Sequence, residues 1–475
     1  MCNIGRDIPR RVWKWWFNNH TVIDTLKRIV GAQYVLSSSD DVAVYKHDAT
    51  PLFSGTPDAV VLPRTTAEIQ EIVKYAAAAG IPVVARGSGS SLSAGTVPIH
   101  GGIVLSLTRM DQIKEINPAE MLAVVEPGVT TAELVTAALK LGLLYPPDPG
   151  SKIISTMGGN VATSAGGLRG LKYGVTRNYV LGLEVVLGTG EVIRTGGRLW
   201  KDVAGYDLTR LLTGSEGTLG IITEITVALV PNPAQSLNGI AYFASLKEAS
   251  HAVNQIIAAG LLPATLEFLD QKCIIAVDEY ANLNLDRTAG ALLLFGDDGD
   301  LDVVNKHMEL MERACLETGG FGIEIATEIT RSEQLLEARR CSLPALSRLA
   351  PTLLLEDVGV PRPYLAEMVA KINLVAEKYQ VICATFGHAG DGNLHPTIAF
   401  DEADPDAKKQ ALAAFDEIFS LAISFGGSIS GEHGVGAAKL PWLKDQIGAE
   451  QVALLKRIKF AFDPHGILNP GKLGS

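Results

Sequence analysis

Two short segments toward the C-terminal end gather side chains that bind metals or move protons. Phe386-Gly387-His388-Ala389-Gly390-Asp391-Gly392-Asn393-Leu394-His395 carries two histidines, and Ser430-Gly431-Glu432-His433-Gly434-Val435-Gly436 carries a third beside a glutamate. Imidazole and carboxylate ligate divalent cations, and imidazole exchanges a proton near neutral pH. Glycine lets such segments turn tightly and lets a backbone approach a ligand closely. The grouping points to an enzyme rather than a passive binding module. The residues alone leave open whether it is a metal site or an acid–base site.

The positioning elements lie upstream. The first helical spacing starts near Thr21 with Val22, Leu26, Ile29 and Val30. An apolar run, Val60-Val61-Leu62-Pro63, precedes a helix that Thr66 is expected to cap, with Ile69, Ile72 and Val73 on one face. Ile81–Ala85 then reads as a strand, and a glycine–serine loop from Arg86 to Gly95 follows it. Leu92 stands where a nicotinamide-type dinucleotide fingerprint needs its third glycine, and no Gly-Lys-Ser/Thr closes a Walker A loop. What remains is a turn rich in N–H and hydroxyl donors, suited to an anionic pyrophosphate. Strands at Ile103–Leu107 and Leu122–Val125 flank a helix from Thr131 to Leu141, and Val180–Val192 reads as a hairpin turning at Gly188-Thr189-Gly190. After Pro231-Asn232-Pro233 the rhythm becomes repeated strand–helix–strand units, implying a second α+β domain with a largely antiparallel sheet.

The 475 residues suffice for two or three cores, and 47% hydrophobic with 20% charged residues is ordinary globular composition. A net charge of −11 argues against nucleic acid as a partner. Five scattered cysteines without a C-x-x-C pair write neither an iron–sulfur cluster nor a zinc knuckle, so a reduced, cytoplasmic chain is expected. No apolar run is long enough to span a bilayer. Arg10-Arg11-Val12-Trp13-Lys14-Trp15-Trp16-Phe17 reads as an extension, or as a segment able to sit peripherally at the inner membrane.

Taken together in order and spacing, Arg86–Gly95, Pro147–Ser151, Gly158–Gly167, Tyr173-Gly174 and Glu216–Thr223 resemble the FAD-binding domain of the vanillyl-alcohol oxidase / p-cresol methylhydroxylase (PCMH) type. The second half resembles the FAD-linked oxidase C-terminal domain. The whole is similar to the D-2-hydroxyacid dehydrogenase branch, with its glycolate oxidase flavin subunits and D-lactate dehydrogenases, over about residues 22–475. The resemblance implies an α+β, two-domain fold with a ferredoxin-like antiparallel-sheet cap. It divides the chain into an extension (1–20), an FAD domain (21–233), a substrate domain (234–425) and a C-terminal segment (426–475) that returns to the first.

By the resemblance, Arg86, Gly87, Ser88, Gly89, Ser90 and Ser91 wrap the FAD pyrophosphate. Pro147, Gly158, Gly159, Asn160, Thr163, Ser164, Gly166, Gly167, Tyr173, Glu216, Gly217, Ile221 and Ile222 line the dinucleotide, and Asn469 returns to it. Ser164 replaces an asparagine common in the family. No histidine occurs in either FAD loop, so the flavin is expected to be non-covalent. His388, His395 and Glu432 match the family's ligands for a divalent metal, zinc being the first expectation and manganese or iron the alternatives. His433 matches its general base. Arg339 and then Arg348 are the candidates to bind a substrate carboxylate, since guanidinium does so in bidentate fashion. A small 2-hydroxyacid would pass hydride to flavin N5, and Leu353-Leu354-Leu355, where dicarboxylate-acting relatives carry a cation, favours glycolate or D-lactate. With no cluster cysteines, electrons are expected to leave to an iron–sulfur subunit, a quinone or a cytochrome. The alternatives are a metal-free flavoprotein of the same fold and a non-catalytic flavin subunit.

Overall fold

The computed structural model describes residues 19–326 and 328–475; the basic–aromatic segment Arg10–Phe17 lies outside them. The chain forms two compact units. One runs to Ala165 and then comprises Val175–Asn232 and Glu432–Ser475; the other comprises Gly166–Gly174 and Pro233–Gly431.

Among the described residues the first unit holds two larger sheets, besides a two-stranded ladder of Leu143–Leu144 with Val230–Pro231. In the smaller, strands Ala59–Val61, Ile103–Ser106 and Val83–Arg86 pair in parallel, with Val35–Leu36 antiparallel at one edge. Helix Thr66–Ala79 connects two of these strands and sinks Ile69, Ile72 and Val73 into a core shared with Leu26, Val83 and Leu105. Its cap is Thr65 rather than Thr66. The Thr65 side chain accepts from the Glu68 N–H while Glu68 reaches back, so the cap sits three residues before the acid that completes the box. The second sheet is antiparallel, in the order Ile113–Asn117, Leu122–Val125, Ile221–Ala228, Val180–Val186, Val192–Gly196. The hairpin expected around Gly188–Gly190 is its last pair. The helix expected from Thr131 to Leu141 stops at Leu139, with Thr130 and Glu133 forming its capping box.

The second unit is built on one antiparallel sheet. Its order is Phe321–Ile325, Gln235–Phe243, Ala291–Gly299, Thr265–Asp270, Ile382–His388, Asn393–Phe400, Thr352–Leu355, and Val358–Gly359 also pairs with Asn393–Phe400. Helices Leu246–Ala258, Leu301–Glu317 and Leu365–Tyr379 connect these strands. The central strands Thr265–Asp270 and Asn393–Phe400 are buried along their whole length. Any charged side chain on them must therefore be paired.

Candidate active site

His388 and His395 lie in strands, not in a glycine-rich loop. Ile382–His388 and Asn393–Phe400 form a tight hairpin whose turn, Ala389–Gly392, takes the glycines. Phe386 is registered opposite His395, and His388 lies two residues beyond Phe386, so all three share one face. The two imidazoles meet edge to face with centroids 5.2 Å apart, and a nitrogen of each ring lies within 4.8 Å of the other's. Both are buried, at 5% and 2% exposure. Gly387 makes the close pairing possible: a Cβ there would lie 2.3 Å from the Asn393 carbonyl oxygen.

The neighbouring strand supplies a residue that the sequence reading missed. Glu267, 1% exposed, is registered opposite His388, and its Oε1 lies 2.7 Å from His388 Nδ1. Its Oε2 accepts from Arg339 Nε at 2.7 Å. The signal was an acid in mid-strand, Glu267 between Leu266 and Phe268, where the other acid of the strand, Asp270, stands at its end. Arg339 comes from helix Ile329–Arg340 and lays its guanidinium over the Phe386 ring at 4.5 Å. Arg348 is exposed, and its guanidinium donates to the Glu279 carbonyl oxygen. The structure thus joins Arg339, but not Arg348, to the histidine face. Asp357, fully buried, accepts from the Ser430 hydroxyl and brings a carboxylate oxygen within 4.8 Å of a His395 ring nitrogen.

Glu432 and His433 belong to the first unit, beginning where the chain leaves Gly431. His433 Nε2 lies 3.7 Å from Glu432 Oε1. Their loop is clasped tightly. Ser93 Oγ donates to the His433 carbonyl oxygen at 3.1 Å, and the N–H groups of Val435 and Gly436 donate to the Glu216 carboxylate at 2.7 and 2.6 Å. Gly436 sits at φ 52°, and a Cβ there would lie 1.9 Å from the Ser93 carbonyl oxygen.

Several of the residues expected to line the dinucleotide also bond neighbouring loops. Glu216 spends its carboxylate on the Val435–Gly436 loop, and burial pushes its pKa up while those two N–H groups hold it down. Asn469 donates its amide to the carbonyl oxygens of Gly95 and Glu216, tying the glycine–serine loop to the Glu216 loop. Arg86 donates to the His47 carbonyl oxygen and lies under Gly89, where a Cβ would strike its guanidinium. Asn160 donates to Thr131 Oγ1 at 2.5 Å and is 4% exposed. Each braces a loop. Tyr173, Gly166 and Gly167 fall in the second unit, where the Tyr173 hydroxyl donates to Asp298.

The remaining candidates of the first unit do cluster. Gly87 packs so closely on Thr156, the cap of helix Met157–Thr163, that a Cβ would lie 2.2 Å from its Oγ1. Helix residues Gly158, Gly159 and Thr163 lead to Ser164, which ends the helix in left-handed conformation at φ 54°. An asparagine tolerates that conformation more readily than serine does. The Gly214 and Glu216 N–H groups bond the carbonyl oxygens of Val161 and Ala162, bringing Gly217 beside this helix. Ile221 and Ile222 open the following strand and are buried, as is Pro147.

Two family models match the chain. "FAD linked oxidases, C-terminal domain" covers residues 232–473, and "FAD binding domain" covers residues 57–196. The glycolate oxidase subunit GlcD of Bacillus subtilis is 48% identical over 452 residues, which span 95% of this chain and 96% of that one. The chain belongs to the FAD-linked oxidase family. The D-lactate dehydrogenase of Archaeoglobus fulgidus is 36% identical, over 95% of this chain and 98% of that one. A structure of p-cresol methylhydroxylase with substrate bound aligns with TM-score 0.82 at 20% identity over 96% of each chain, which shows the PCMH-type fold.

The residues of this FAD-linked oxidase fit its cofactor. Among the described residues, no acceptor takes the N–H groups of Ser88, Gly89, Ser90 and Ser91, so this turn presents a row of donors to an anion. The donor set of the second unit also fits a divalent cation. With Nδ1 of His388 bonded to Glu267, its Nε2 is left as the ligand atom, beside a second imidazole.

Proposed function

We propose that this FAD-linked oxidase dehydrogenates a small D-2-hydroxyacid, glycolate or D-lactate, to the 2-oxoacid and passes the electrons to a separate acceptor. The observation that carries the reading is the shared face of Phe386, His388 and His395 with the Arg339 guanidinium laid over it. A pair of buried imidazoles beside a guanidinium suits a ligand with a chelating hydroxyl next to a carboxylate. Relatives named for glycolate oxidation and D-lactate dehydrogenation support the same substrate class.

In this reading Arg339 binds the substrate carboxylate. His433 takes the hydroxyl proton on Nε2, the ring nitrogen 3.7 Å from Glu432 Oε1. Bound FAD supplies the acceptor for the hydrogen and electron pair leaving the α-carbon, and a divalent cation at His388, His395 and Glu432 supplies Lewis acidity to the hydroxyl. Leu355, buried and registered opposite Thr397 on the face that His395 shares, offers no charge for a second carboxylate, which favours a monocarboxylate.

The purified protein should be yellow, and glycolate or D-lactate should bleach it without oxygen. Chelation should stop the bleaching, zinc or manganese should restore it, and His388→Ala should lower kcat/KM by about 100-fold or more. Bleaching by neither acid would sink the proposal. Bleaching that ignores both the chelator and His388→Ala would favour a metal-free flavoprotein of the same fold.

A further inference from the structure

Glu267 has no place in the chemistry described above, yet it touches both of that chemistry's binding groups. Its two carboxylate oxygens are divided between them: Oε1 to His388 Nδ1 and Oε2 to Arg339 Nε, each at 2.7 Å. It is 1% exposed in the middle of a fully buried strand, where an ion pair is costly to form and adds little net stability. The side chains it holds are aimed. Nδ1–H donated to a carboxylate fixes the histidine tautomer and the ring orientation, with Nε2 as the nitrogen able to ligate a metal. Nε held by the other oxygen orients the guanidinium plane. Among the described residues no acceptor takes either terminal amino group of Arg339, so that edge is left for a carboxylate.

We propose that Glu267 is a positioning residue that sets the spacing between the metal-binding imidazole of His388 and the carboxylate-binding guanidinium of Arg339. The inference rests on the hydroxyacid reading. A 2-hydroxyacid carries its hydroxyl and carboxylate on adjacent carbons, so the two groups reach their partners only if those partners stand a fixed distance apart. One carboxylate bonded to both supplies that spacing more rigidly than two independent supports. Glu267 therefore contributes to metal affinity and to the preference for 2-hydroxyacids over 3-hydroxyacids, without itself touching either ligand.

The test uses the full-length, FAD-loaded protein stripped of metal and titrated with zinc against a chromophoric chelator. Glu267→Gln offers one acceptor oxygen where two donors compete, and Glu267→Asp keeps the charge on a stem one methylene shorter. Glu267→Gln should weaken zinc binding about 10- to 100-fold. It should also raise KM for the hydroxyacid and narrow the kcat/KM ratio between D-lactate and 3-hydroxybutyrate, while FAD content stays at the wild-type level. Glu267→Asp should fall between the two proteins on each readout, which keeps the test decisive if the glutamine variant does not fold. A purely structural role would lower the melting temperature and leave zinc affinity and the substrate ratio unchanged, and that result overturns the proposal. If wild type binds zinc and His388→Ala abolishes the binding, that failure belongs to Glu267 alone. If wild type and His388→Ala bind zinc equally poorly and turn over equally well, the hydroxyacid–metal reading has failed with it.

Discussion

Lys472 is fully buried, with Nζ donating to the Val97 carbonyl oxygen and to Asn469 Oδ1, and Asp48 and Glu216 supply the nearest negative charge. Burial lowers its pKa from 10.5 to about 8 despite those two acids. Below pH 8 the lysine is protonated in both states, and the folded chain carries the full desolvation cost. Between pH 8 and 10.5 the unfolded chain keeps a proton that the folded chain has released, so this group makes stability rise with pH. The rise should total about 3 kcal/mol across that window. Urea unfolding of wild type and Lys472→Met at pH 7.5 and 10 tests it: the wild type should gain stability relative to the variant at the higher pH, and a constant difference would refute the assignment. Asn469 was legible in the sequence as a residue returning to the FAD loops. Its bonds to two loop carbonyls were not, because those partners lie more than 250 residues away.

At the scale of elements, the hairpin of His388 and His395 depends on strands that approach without a side chain at Gly387. Gly387→Ala should destabilise the protein by about 3 kcal/mol or more, because the added methyl meets the backbone of the partner strand and no rotamer relieves it. Thermal unfolding measures the loss, and an unshifted midpoint would show that the hairpin yields. Helices were read from apolar spacing, as at Thr66–Ala79, but their ends were less legible: that cap fell one residue earlier, and the helix begun at Thr131 ended two residues sooner. The histidine hairpin was hidden because Gly387, Gly390, Asp391, Gly392 and Asn393 read as loop composition, while the paired strands run through both ends of it. Glu267 escaped notice for the opposite reason, as a mid-strand acid in an otherwise convincing core strand.

For the molecule as a whole, the question is where electrons go. The described cysteines, Cys273, Cys315, Cys341 and Cys383, are buried, and desolvation pushes Cys341 up to about 11 and Cys315 and Cys383 up to about 12. Such thiols stay protonated and make poor ligands for a redox cluster. Turnover with an artificial dye acceptor should therefore exceed peroxide formation in air, and rapid peroxide production matching the dye rate would identify a self-sufficient oxidase instead.

The short segment Gly166–Gly174 interrupts the first unit to join the second, where Lys172 reaches Asp297 and Asp298 at 2.6 Å each. With the passages at Asn232–Pro233 and Gly431–Glu432, the chain passes between its units four times. Neither unit is therefore a portable gene segment. A recombination that swapped 233–431 would remove Asp297 and Asp298 and leave Lys172 behind, so that its two ion pairs would depend on acids in the foreign unit at the same places. New specificities in this architecture are thus more easily reached by changing side chains in place than by exchanging modules.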